Sequence, residues 1–88
     1  MQFTITVIYV RRQYRMQVEQ VYKGPVLEQF RVSAGGKSVL LQSNRPLFIA
    51  KGLRHRRPQW KVLEGRIHYQ SALQLVIEAI EKKIGNQL

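Results

Sequence analysis

The chain has 88 residues, no cysteine, and 15 Lys and Arg against five acidic residues, for a formal charge of +10. That length suits one small domain over residues 1–88 with a modest core, and the missing cysteine excludes disulfides, thiol catalysis and thiolate metal sites. A hydrophobic content of 44% excludes a disordered composition.

All the acids are glutamates: Glu19, Glu28, Glu64, Glu78 and Glu81. The basic side is rich in arginine, whose planar fork pairs bidentately with phosphate and stacks on bases. That bias points to a polyanionic partner. No apolar run approaches the ~20 residues that span a bilayer, and the N-terminal segment has no basic start for a signal peptide. The expectation is a cytoplasmic protein with no membrane partner.

Residues 3–10 place Phe3, Ile5, Val7 and Tyr9 on one parity and Thr4 and Thr6 on the other, which predicts a strand. Ile8 and Val10 break the polar parity, which fits a central strand or one covered on both faces. Residues 14–22 alternate again, with Tyr14, Met16, Val18 and Tyr22 on one face. The join, Arg11-Arg12-Gln13, lacks turn-forming residues, so it is either a hairpin with weak turn chemistry or a bend in one long strand. After Lys23-Gly24-Pro25, residues 26–33 predict a third strand, with Val26, Phe30 and Val32 on one side. Ala34-Gly35-Gly36 is a hairpin signal, since glycine takes the positive φ such turns need. Lys37 to Ser43 is the returning strand. Asn44-Arg45-Pro46 reads as a turn, Leu47 to Ala50 as a short strand, and Trp60 to Ile67 as a last strand interrupted by Gly65.

Residues 71–84 predict an amphipathic helix. Ala72, Leu73, Val76, Ile77, Ile80 and Ile84 recur at helical spacing, Ser71 and Gln74 fit a capping box, and Lys82 and Lys83 suit the negative end of the helix dipole. The fold expected is therefore α+β: an antiparallel β-meander of about five or six strands with one C-terminal helix packed on one face.

The densest charge cluster is Lys51, Arg54, His55, Arg56, Arg57 and Lys61, which contains no acid. These cations repel one another, and a phosphate backbone would neutralise them with release of counterions. A solvated loop serving only solubility is the alternative. Trp60 could stack on an unpaired base, but a small core favours packing its only tryptophan inside. Arg11 and Arg12, with Arg15, form a second basic patch that Arg31 and Arg45 could extend. Tyr9, Tyr14 and Tyr22 suit cross-strand packing better than a stacking platform. Gly35-Gly36-Lys37-Ser38 ends like a phosphate loop, but the pattern's first glycine would fall at Arg31, and strands flank it where the mechanism requires a helix. His55 and His68 are the only histidines, so the sequence implies no metal and no cofactor.

The order of elements, a strand meander and then one helix, resembles that of small single-stranded nucleic-acid binders such as the Pur-type repeat. The resemblance is one of architecture and carries over no site residue. The function expected is a non-enzymatic module that holds single-stranded DNA or RNA through its phosphate backbone. The alternatives are a structural or interaction domain, homodimeric or bound to an acidic protein, and a small metal-independent ribonuclease using His55.

Overall fold

The structure, a computed structural model, describes residues 1–53 and 56–85. Five strands run in chain order across one antiparallel sheet: β1 (Gln2–Tyr9), β2 (Arg12–Lys23), β3 (Glu28–Ala34), β4 (Lys37–Ser43) and β5 (Trp60–Glu64). Helix α1 (Arg45–Ala50) joins β4 to the loop before β5, and α2 (Gln70–Gly85) follows β5. The architecture is the expected α+β meander. Among the described residues, no helix is long and apolar enough to cross a membrane.

The core lies between α2 and one sheet face. Ile5, Val7, Val18, Phe30, Val32, Val39 and Leu41 point from alternate strand positions toward Val76, Ile80 and Ile84. Period-2 alternation on the strands meets 3.6-residue periodicity on the helix, so both patterns bury one shared side. Leu73, expected in that helical face, packs on the core half-buried. The opposite sheet face carries Gln13, Arg15, Gln17, Gln29, Arg31, Ser33, Gln42 and Lys61, all exposed or half-buried.

Of the two readings of the join after β1 the hairpin is the one observed, and several other local expectations need correction. The join after β1 is a hairpin, because Tyr9 pairs with Arg12 and leaves Val10 and Arg11 as a two-residue turn. Both have positive φ, 51° and 62°, as a turn of this hand demands. β1 is an edge strand and is not covered on both faces: Ile8 is 70% and Val10 76% exposed. In β2 the register shifts between Gln20 and Tyr22. An extra residue there turns the following side chain over, so Tyr22 pairs with Gln29 on the polar face and leaves the parity of Tyr14, Met16 and Val18. The third strand begins at Glu28, leaving Val26 exposed outside it.

The segment expected as a turn and short strand, residues 44–50, is helix α1 with Asn44 at its N-cap. Proline near the first helical position is pre-organised for helix and loses no hydrogen bond. At the other end, Gly52 N–H donates to the Ile49 carbonyl and Leu53 N–H to that of Phe48, a bonding pattern that closes helices. The last strand stops at Glu64, where Gly65 turns the backbone to φ 81°. Helix α2 starts at Gln70, so Ser71 lies inside it and is not the expected cap; its hydroxyl is hydrogen-bonded to that of Tyr9 at 2.9 Å.

Candidate nucleic-acid interface

The described basic residues of this segment, Lys51, Arg56, Arg57 and Lys61, lie at and after the end of the sheet where β4 hands over to α1. The base of this loop is closed by Asn44. Its side-chain oxygen accepts from Gln59 N–H at 2.7 Å, and its own N–H donates to the Gln59 carbonyl at 3.3 Å. Lys51 and Arg56 are exposed, and Arg56 N–H donates to the Leu53 carbonyl at 3.1 Å. Arg54 and His55 lie outside the described residues.

The strand geometry then divides the cluster. Successive strand residues point to opposite faces, so Trp60 and Lys61 cannot serve one surface. Trp60 turns to the helix side, where its ring stacks on Phe30 with centroids 5.8 Å apart and its Nε1–H donates to Glu81 at 3.1 Å. It is half-buried, as the packing reading expects. Lys61 pairs with Gln42 on the polar face, the face that carries Arg15 and Arg31. Arg57 leans on α2, with Nη2 3.6 Å from both Glu78 and Glu81. Pairs this long and exposed contribute about 0–1 kcal/mol, too little to withhold the guanidinium from a phosphate.

Arg11 and Arg12 lie at the other end of the sheet, on the β1–β2 turn and the first position of β2. The structure does not join them to the loop. Arg45 does not extend either patch. Its Nε and Nη2 donate to the two oxygens of Glu28 at 2.7 and 2.8 Å, and Glu28 is fully buried. Sequence reading missed this pair, although Glu28 shares the parity of Phe30 and Val32. That parity was the available signal.

No family model, no curated protein and no solved structure matches this chain. The site must therefore be judged on its own chemistry. Among the described residues, no three His, Asp or Glu side chains gather as a metal-binding group. What the surface does hold is unbalanced charge. Glu28 compensates only Arg45, inside the fold. Among the described residues, Arg57 is the one exposed cation with a carboxylate within 4.0 Å. Arg11, Arg12, Arg15, Lys51, Arg56 and Lys61 are exposed without one. Such a surface attracts polyanions over a Debye length, about 8 Å at physiological salt.

Proposed function

We propose that the protein is a non-enzymatic module that binds single-stranded DNA or RNA through the phosphate backbone. Lys51, Arg54, Arg56, Arg57 and Lys61 are the principal contacts. The observation that supports this reading is that, among the described residues of this segment, the exposed cations Lys51, Arg56 and Lys61 have no carboxylate within 4.0 Å. A phosphate chain supplies the missing counter-charge, and the cations release its condensed ions on binding. Contacts of this kind position a strand without reading its sequence.

The test is a titration with a labelled single-stranded oligonucleotide over a range of salt concentrations. For single strands, log affinity against log salt falls by about 0.7 per phosphate neutralised. Lys51→Ala/Arg56→Ala/Lys61→Ala is expected to lower that slope by about 2 units for three contacts, equally for all sequences. All three residues are exposed, so thermal unfolding should be unchanged. Parent protein that fails to bind in low salt, or a triple variant with the parent's slope, refutes the proposal.

A further inference from the structure

A cavity of about 280 Å³ lies between the helix-side face of the sheet and the segment that leads into α2. Three tyrosines line it, Tyr9, Tyr14 and Tyr69, together with Met16 and Ala72. Arg66 and His68, both exposed, complete the wall. Arg12 stands beside the mouth: it precedes Tyr14 by two residues on the same strand face and pairs with Tyr9 across the hairpin. No glutamate is among the lining residues.

The shape is held from two sides. The Tyr9 and Ser71 hydroxyls are bonded at 2.9 Å, which ties β1 to the first turn of α2. Tyr9 and Tyr69 pack with ring centroids 6.0 Å apart. Next to Tyr9, the backbone is held in the left-handed region at two consecutive non-glycine residues, Val10 and Arg11. Both φ values are those a two-residue hairpin turn requires, and the turn pairs Tyr9 with Arg12.

We propose that this cavity holds one nucleobase, with the attached phosphate on Arg12 and Arg66. The choice of ligand rests on the function proposed above. Three aromatic side chains in the lining suit a flat ring, and the cationic rim with no acid suits its phosphate. The volume lies just below the ~300–1,000 Å³ usual for small-ligand pockets, which suits a single base. The nucleotide unit can be free or part of a strand.

The experiment is a titration of ¹⁵N-labelled full chain with adenosine 5′-monophosphate and, separately, with single-stranded oligo-dT and oligo-dA. Saturable amide shifts are expected at Tyr14, Ile67, Tyr69 and Ala72. Tyr14→Ala and Tyr69→Ala remove exposed rings, 38% and 64% accessible, and each should weaken nucleotide binding on the order of tenfold. Ala72→Leu fills the cavity from the helix and should abolish the shifts while circular dichroism stays unchanged. Oligonucleotide binding that leaves these amides unmoved, or that survives Ala72→Leu with the shifts intact, overturns the cavity and spares the proposed function. Binding of the mononucleotide but not the oligonucleotides does the reverse. If neither ligand binds, both fall.

Discussion

Removing the arginine partner of Glu28 is the most severe test of how this fold is held. The Glu28 carboxylate is fully buried and accepts three hydrogen bonds: two from Arg45, at 2.7 and 2.8 Å, and one from Gln20 Nε2 at 3.2 Å. Arg45→Met keeps the bulk and removes both charged donors. One long neutral bond then remains to a carboxylate that cannot reach water. Breaking a buried pair from one side costs about 3–5 kcal/mol, because the stranded charge keeps its full desolvation penalty. An 88-residue protein at about 0.05–0.15 kcal/mol per residue has roughly 4–13 kcal/mol in total. The variant therefore loses at least about a quarter of its stability. The melting temperature should fall by about 4–8 °C per kcal/mol lost. Glu28→Leu/Arg45→Met removes both charges and should recover most of the loss, since apolar replacements of such pairs are often neutral or stabilising. Urea unfolding followed by Trp60 fluorescence and by circular dichroism measures all three proteins. An Arg45→Met variant within about 1 kcal/mol of the parent, or a double variant no better than the single, would refute the reasoning.

Two backbone substitutions test the turns. Val10→Asn/Arg11→Gly installs the preferred dipeptide for a two-residue hairpin at positions with φ 51° and 62°. It should raise the unfolding free energy by about 1 kcal/mol or more, the cost of left-handed backbone in one non-glycine residue; unchanged stability would argue against the turn. Gly65→Ala should destabilise, because φ is 81° there and a new Cβ would lie 2.6 Å from the Ser38 carbonyl oxygen. A variant as stable as the parent in urea would show that β5 ends differently.

The strands and α2 were legible because their side chains alternate or repeat against a single buried face. Residues 3–9 are the clearest case, with Phe3, Ile5, Val7 and Tyr9 on the helix side and exposed Thr6 and Ile8 between them. Helix α1 was not, although Pro46 and Gly52 bracket it in the order that marks a short helix. Six residues are too few for a periodicity to show. The β2 bulge at Gln20/Tyr22 was also hidden, since one extra residue leaves no compositional mark. For the candidate site, the density of charge in the sequence overstated its density in space. Residues 51–61 pass from a helix end through a loop into a strand, so Arg57, Trp60 and Lys61 face different surroundings. The cavity was illegible for a related reason: its tyrosines come from β1, β2 and the approach to α2, and only the fold brings them together.

The position of Arg57 yields the last prediction. Its guanidinium is 3.6 Å from Glu78 and Glu81 on the flank of α2 that faces the loop. From those glutamates to Ser71, beside the cavity, is seven to ten residues of helix, about 10–15 Å at 1.5 Å per residue. A strand engaging both the loop and the cavity would follow this flank, and there it meets the two carboxylates. Arg57 thus has two effects: it attracts a phosphate and screens two like charges from it. Arg57→Ala loses both, while Arg56→Ala loses only a cation, since among the described residues no carboxylate lies within 4.0 Å of it. Arg57→Ala should therefore weaken oligonucleotide binding at low salt more than Arg56→Ala does. Adding Glu78→Gln/Glu81→Gln should restore most of the difference, because the amides carry no charge to screen. Equal losses for the two arginine variants, or no recovery in the triple variant, would show that the strand does not follow this flank of α2.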